Sequence, residues 1–509
     1  MSVSTTASRV DDLLRRSAAR VPERAALHFG TRTWTYADLD TAVTRAAARL
    51  LDLGAAAGER VAAYGRNSDA YLIGFLACAR AGLVHVPINY ALRGEELAYL
   101  LTQSGSAFAL TDPALRPALE EVLEDTGVRR VLDLREGPGS LVADASAGPV
   151  PELDVHVRDT DLVQLLYTSG TTSRPKGAMM THRALVHEYM SCLMGLDLAA
   201  DDRPLHAMPL YHSAQMHVFL MPWLAVGATN TLVEAPDPAD LLSRIETDRH
   251  GAFFAAPTLW VALTNHPDFR ERDLSSLRKA YYGASVMPAP VLSTLQETLP
   301  DLGLYNCFGQ SEIGPLVSVL RPEEHADRPA SAGRAALFVE LRVVDGEDRD
   351  VAPGELGEAV YRSPQLCEGY WDEPGETAEA FRGGWFHSGD LVRADAEGYI
   401  EVVDRIKDVI NTGGVVVASR EIEDVLFAHP QVAEAAVVGV PDTKWIEAVT
   451  AYVVPTPDAD TGELPGALTD HVKDHLAPFK VPKAVHLVEG LPRNASGKIL
   501  KRSLREDEG

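Results

Sequence analysis

Between residues 70 and 87 the chain changes its period within a few positions. Leu72, Phe75, Leu76 and Ala79 recur at helical spacing across Ala70 to Ala81, and Gly82-Leu83-Val84-His85-Val86-Pro87 then reads as a short strand closed by proline. The same alternation continues down the chain with no internal repeat and no long low-complexity stretch, which restricts it to an α/β fold. At 509 residues it is too long for one ordinary core, so more than one domain is expected.

The boundary is expected at Val402-Val403-Asp404-Arg405-Ile406-Lys407-Asp408, where an apolar strand passes into a charged, exposed stretch. Residues 1–404 would form a large N-terminal domain and residues 405–509 a small α/β domain with its own core. The elements expected there are a helix from about Glu421 to Phe427, strands Ala433 to Val440 and Val449 to Val454, and a helix ending before Pro478. Glu136 to Leu153, rich in Gly, Ala and Pro, reads as an irregular excursion.

A formal charge of −26 argues against a nucleic-acid groove or an anionic membrane surface, since no strong local basic patch offsets it. Cys78, Cys192, Cys307 and Cys367 have neither metal-ligand spacing nor a disulfide-like framework, and read as buried thiols in a reducing cytoplasm. Met1 to Arg9 lacks the apolar core of a secretory signal, and the C-terminal residues 505–509 read as a solvated tail. The most apolar run, Val218 to Ala228, is interrupted by Pro222 and falls short of the roughly 20 residues that span a bilayer, so it reads as core or pocket wall. The sequence leaves a monomer or a homodimer open.

Directly after a strand-like run, Asp161 to Leu166, comes Tyr167-Thr168-Ser169-Gly170-Thr171-Thr172-Ser173-Arg174-Pro175-Lys176-Gly177. Small residues let successive N–H groups converge on phosphate oxygens, hydroxyls add donors or metal contacts, and a lysine adds a point charge. It is not a Walker loop: Pro175 replaces the second glycine, and no Ser or Thr follows Lys176. Far downstream, Leu491-Pro492-Arg493-Asn494-Ala495-Ser496-Gly497-Lys498-Ile499-Leu500 sets one lysine in a small loop.

With these two motifs the sequence resembles the adenylate-forming superfamily: acyl-CoA synthetases, beetle luciferases and the adenylation domains of peptide synthetases. The resemblance runs from about Asp11 to about Leu504, with several motifs in the family's order. It implies an ATP site whose phosphates meet Thr168, Ser169, Gly170, Thr171, Thr172 and Lys176. Phe308-Gly309-Gln310-Ser311-Glu312 matches the family's Tyr-Gly-x-Thr-Glu, implying an aromatic cover for adenine, a hydroxyl for the α-phosphate and a carboxylate for Mg²⁺. Magnesium prefers hard oxygen ligands and keeps waters while bridging phosphates, so Thr168 and Glu312 would suffice from the protein. Gly283-Ala284-Ser285 would pass beside the adenine, Asp390 would accept the ribose hydroxyls with Arg405 as the second ribose contact, and Lys407 falls at the family's hinge.

The implied reaction has two halves. A carboxylate attacks the α-phosphate of ATP to give acyl-adenylate and pyrophosphate, and a thiol then displaces AMP. Lys498 is the expected charge at the reacting phosphorus. Gly413 and Gly414 would leave room for the pantetheine of CoA, with Trp445, Phe479 and Lys480 on its nucleotide. Val415, Val416 and Ser419 depart from the family pattern beside them. His212, where amino-acid-activating relatives carry aspartate, points to a plain carboxylic acid held near its carboxylate, and Met216, Phe219 and Trp260 are expected in an acyl pocket. The expected activity is therefore acyl-CoA synthesis from a medium- to long-chain fatty acid. The alternatives are an aryl acid, a carrier-protein acceptor and a non-catalytic nucleotide sensor. A luciferase-like oxygenase is disfavoured by Asn411, where luciferases carry a second lysine.

Overall fold

The computed structural model describes residues 8–135, 137–168, 174–285, 287–442, 444–493 and 499–506. Its elements are mixed α/β, and backbone contacts divide the chain into two compact units that interleave in sequence. The first holds residues 1–341 and 361–386, the second residues 342–360 and 387–509. Residues 342–360 and 387–404 thus gather with the C-terminal residues, because the strands Glu340–Val344, Leu356–Arg362, Phe386–Ala394 and Ile400–Arg405 make one four-stranded sheet.

The first unit contains two sheets. In the six-stranded one the order is Arg130–Asp133, Ser106–Thr111, Arg60–Tyr64, Val84–Ile88, Leu162–Thr168, Lys176–Thr181, parallel except for the last pair. The helix expected from Ala70 to Ala81 is Asp69–Ala81. Ser68 accepts a hydrogen bond from Tyr71 N at its start, and Gly82 ends it at φ +70°. Every residue of this helix is buried, and Leu72, Phe75 and Leu76 each contribute roughly 1.5–3 kcal/mol of transfer free energy. In the nine-stranded sheet, Gly303–Gly309, Lys279–Gly283, Ala252–Phe254, Pro204–His206, Asn230–Leu232 and Ala25–Phe29 run parallel in that order.

In the second unit Val432–Asp442 pairs with Ile446–Pro455 and lies at the edge of a five-stranded sheet. Successive side chains on a strand point to opposite faces. Ala435 and Val437 accordingly enter one core with Ile422, Leu426, Leu468 and Val472, while Ala436, Val438 and Val440 enter another with Leu491 and Leu504. Among the described residues no helix is long and apolar enough to cross a membrane.

Candidate active site

Strand pairing determines which residues of the phosphate motif meet. Leu162–Thr168 runs antiparallel to Lys176–Thr181 with Thr168 opposite Lys176, so both stand at the mouth of one hairpin. Ser169, Gly170, Thr171 and Thr172 lie outside the described residues, as does Lys498. The Thr168 hydroxyl donates to Glu312 Oε1 at 3.0 Å, and the Tyr370 hydroxyl donates to the same oxygen at 3.1 Å. Tyr370 arrives there because the segment around it bonds to the second strand of the hairpin: Met179 N donates to Gly369 O at 2.9 Å and Trp371 N to Gly177 O at 2.8 Å. The Lys176 ammonium lies 5.2 Å from the centre of the Tyr370 ring and pairs with Glu376. Burial, then the charge of Glu312, push the Tyr370 phenol upward, so it remains a donor.

The adenine motifs stand on adjacent parallel strands. Gly283 on Lys279–Gly283 is level with Cys307 on Gly303–Gly309. A Cβ on Gly283 would stand 2.2 Å from Cys307 O, and one on Gly309 would stand 1.7 Å from Pro315 O, so both positions require glycine. Just beyond the strand ends Ala284, at φ +66°, and Ser285 are exposed, while Phe308, Gln310 and Ser311 are half-buried. Openings beyond the carboxyl ends of parallel strands are where α/β sheets take ligands.

The segment carrying His212 is joined to this loop through Ser213, whose Oγ lies 2.8 Å from Ser311 Oγ. Asn67 Oδ1 accepts from Leu210 N at 2.8 Å, and His212, half-buried, packs beside Tyr211 at 4.4 Å between ring centres. After it, Ala214–Leu220 is a π-helix. Two buried histidines and a glutamine hold it down: His217 Nε2 meets Gln164 Oε1 at 2.6 Å, and Gln164 Nε2 meets His85 Nδ1 at 3.0 Å. Burial pushes both imidazoles down to about 3.

Met216, Phe219 and Trp260, the three apolar residues expected in the acyl pocket, are closely packed. Met216 and Phe219 are 0% exposed and Trp260 1%. Phe219 stacks on Phe254 at 4.3 Å and leans on Tyr281 at 5.1 Å, and the Trp260 indole donates to Tyr281 O at 3.1 Å.

In the second unit Asp390 and Arg405 face each other on neighbouring strands. Arg405 Nε stands 2.9 Å from Asp390 Oδ1, and its Nη1 donates to Ser388 O at 3.0 Å. Lys407 is exposed two residues later. Gly413 and Gly414 adopt φ +63° and +86°, and a Cβ on Gly413 would stand 3.5 Å from the Trp445 ring. The ammoniums of Lys444 and Lys483 lie 4.7 and 5.1 Å from the centre of that ring. Lys480 is tied to Glu421 at 2.5 Å, beside Phe479.

Chemically, the first unit offers one buried carboxylate carrying two hydroxyl donors, with a lysine next to it. These are hard oxygen donors, and among the described residues no group of three or more His, Cys, Asp or Glu forms a closed cage. Such a set fits magnesium, which takes its remaining ligands from phosphate and water. Tyr370 and Glu376 were not legible in the sequence, since a lone tyrosine and one glutamate in an acidic stretch carry no pattern.

The model for "AMP-binding enzyme" matches residues 14–371, and that for "AMP-binding enzyme C-terminal domain" matches residues 421–498. A feruloyl-CoA synthase of Amycolatopsis sp is 39% identical over 97% of this chain and 98% of its own length. A medium/long-chain-fatty-acid–CoA ligase of Mycobacterium tuberculosis is 35% identical over 80% of this chain and 74% of its own. The crystal structure of an anthranilate CoA ligase in complex with anthranoyl-AMP superimposes with a TM-score of 0.91 at 26% identity, covering 99% of this chain and 98% of that one. The chain belongs to the AMP-binding enzymes of the adenylate-forming superfamily, as an AMP-forming acyl- or aryl-CoA ligase that uses ATP and CoA.

Proposed function

We propose that this ligase activates a compact aryl-substituted carboxylic acid rather than a long-chain fatty acid. The observation that carries this reading is the closed aromatic packing of Phe219, Phe254 and Tyr281 behind the His212 segment, where a long flexible tail would need an open channel. The 39% identity to a feruloyl-CoA synthase supports the same choice.

The acid, with a pKa of roughly 4–5, is already ionised at neutral pH, so adenylation needs no general base. Its oxygen bonds to the α-phosphorus, the bond to the bridging oxygen breaks, and pyrophosphate leaves with the electron pair. The difficulty is bringing an anion onto a triphosphate. Lys498 supplies positive charge where the pentavalent phosphorus develops its own, while Lys176, Ser169, Gly170, Thr171 and Thr172 hold the departing phosphates. Thr168 and Glu312 hold magnesium, which neutralises phosphate charge when bound. Gly283, Ala284, Ser285, Phe308, Gly309, Gln310 and Ser311 seat the adenine and α-phosphate, Asp390 and Arg405 the ribose, and His212 the acid's carboxylate. In the second half a CoA thiol attacks the acyl carbon, AMP leaves, and a proton is released. Gly413, Gly414, Trp445, Phe479 and Lys480 serve that acceptor, after residues 405–509 have turned about Lys407 relative to residues 1–404.

The test is acid-dependent pyrophosphate release with ATP and Mg²⁺ over hydroxycinnamates, benzoates, medium- and long-chain fatty acids and short diacids, followed by transfer to CoA or to a holo-carrier protein. Hydroxycinnamate-type acids with CoA should give the highest kcat/KM. A preference for fatty acids of ten or more carbons, or for the carrier, would overturn the reading. Lys498→Ala should lower adenylation by about 10²–10³, the effect of removing one preorganised charge, while sparing thiol transfer from supplied acyl-adenylate.

A further inference from the structure

Helix His182–Gly195 buries a carboxyl that the reaction above does not use. Glu188 is 0% exposed, and among the described residues no lysine or arginine pairs with it. Burying an unpaired carboxyl in a helix whose neighbours are apolar is costly, and it persists only when other groups satisfy its oxygens. Here neutral donors do so. Glu188 Oε1 accepts from Leu316 N at 2.9 Å and from the Cys192 thiol at 3.2 Å, and Oε2 accepts from Gln365 Nε2 at 2.5 Å.

Gln365, also 0% exposed, extends the network. Its amide nitrogen is shared with the carbonyls of Ile313 at 3.3 Å and Leu316 at 3.2 Å, and its Oε1 accepts the Ser191 hydroxyl at 2.6 Å. The backbone partners are Ile313 in the turn that follows Glu312 and Leu316 at the start of the strand after it. Ser311–Ile313 is one 3₁₀ turn, Gly314 sits at φ +104°, and the next strand starts at Leu316. A Cβ on Gly314 would stand 3.0 Å from the Cβ and Cγ of Glu188, so helix and turn are in close contact. Two residues beyond Gln365, Cys367 N donates to Glu312 O at 2.8 Å. The backbone is therefore held at Glu312 itself and at three groups just after it.

We propose that Glu188 and Gln365 form a positioning latch that sets the Glu312 carboxylate for the magnesium–nucleotide complex. The latch touches neither nucleotide nor acid. It acts through the turn, and it rests on the reading of Glu312 as a magnesium ligand. Burial pushes the Glu188 carboxyl up to about 8, the expected consequence of a carboxyl held by neutral dipoles alone.

Acid-dependent ATP–pyrophosphate exchange tests this with Glu188→Gln, Gln365→Met and Ser191→Ala, and with Glu312→Gln as the reference. Glu188→Gln keeps the volume but turns an N–H toward donors, and Gln365→Met removes the donor to both carbonyls. Each should raise the KM for MgATP and the Mg²⁺ concentration for half activity by about tenfold, the scale of a sub-ångström misplacement of a binding group. The KM for the acid should stay within about twofold, and the double variant should be no worse than the poorer single by more than about twofold. A merely structural role would shift both substrates together, and that result, or unchanged MgATP parameters in folded variants, overturns the latch. Should Glu188→Gln not fold, Ser191→Ala carries the test, because it frees only Gln365 Oε1 and should give a smaller shift of the same MgATP parameters. An unaffected Glu312→Gln would overturn the reading of the site and the latch with it. An impaired Glu312→Gln beside unaffected latch variants would overturn the latch alone.

Discussion

Tyr370→Phe removes a single hydroxyl from the candidate active site and leaves the rest of the side chain in place. The ring under the Lys176 ammonium is kept, and so are the backbone bonds between 368–371 and the hairpin. What disappears is one of two donors to Glu312 Oε1, the other being Thr168 at 3.0 Å. A hydrogen bond to a charged acceptor contributes about 1.5–3 kcal/mol, and Glu312 is only 8% exposed, so solvent screens little of it. Carried in full to the magnesium–nucleotide step, the loss would be roughly 10- to 150-fold. A water entering the vacated volume recovers part, which puts the expectation near the lower end, about tenfold. The assay is ATP–pyrophosphate exchange at saturating acid, with MgATP and then free Mg²⁺ varied. We expect kcat/KM for MgATP to fall about tenfold with the acid KM unchanged. A folded Tyr370→Phe enzyme within twofold of the parent, or with improved MgATP kinetics, would refute the assignment of Tyr370 as an orienting donor.

Glu376 occupies the lysine that the phosphates are proposed to use, and as a partly exposed ion pair it is worth up to about 1 kcal/mol. Glu376→Gln should therefore lower the KM for MgATP by up to about fivefold, most at low salt, which steady-state kinetics at two ionic strengths would reveal. Gly283→Ala drives a methyl against Cys307 O and should destabilise the first unit by about 1–3 kcal/mol or more, whereas Gly466→Ala, with open space around its Cβ, should be neutral or stabilising in thermal melts. Burial pushes His85 and His217 down to about 3 and His182 and His206 to about 4, while the unfolded imidazole titrates near 6.5. Their stabilisation is complete above that value and is lost as pH falls through the folded values, about 4 for His182 and His206 and about 3 for His85 and His217. The melting temperature should drop between pH 6.5 and 5, with a shallower slope in a folded His85→Gln variant.

The alternation of helix and strand was readable because it depends on neighbours. The strand expected over 82–87 is Val84–Ile88, and the two strands expected in the C-terminal region are Val432–Asp442 and Ile446–Pro455, each longer than its apolar run because polar ends continue the ladder. Between Glu136 and Leu153 the glycines and prolines concealed a short helix, Leu141–Ser146, capped by Ser140. The π-helix at Ala214–Leu220 escaped because its repeat is neither that of a helix nor that of a strand. Met216, Phe219 and Trp260 show the limit of motif proximity: an apolar residue near a site has the same signature whether it faces a substrate or a core. Tyr370, Glu188 and Gln365 act across 58 to 177 positions of sequence, and no local pattern announces such contacts.

The border strand Val432–Asp442 has apolar residues on both faces, and its outward Val437 N–H is not left open: Glu423 Oε1 accepts it at 2.7 Å. Lys501 stands 2.7 Å from the same oxygen, and Leu504 packs over Ala436, Val438 and Val440. Glu423, on the helix Ser419–Phe427, thus covers part of an edge that would otherwise template cross-β pairing with other chains, while the short helix Lys501–Glu506 holds Glu423 through Lys501 and covers one apolar face with Leu504. Trimming the chain after Leu500, which keeps Lys498, would therefore uncover Ala436, Val438 and Val440 and show as a loss of solubility.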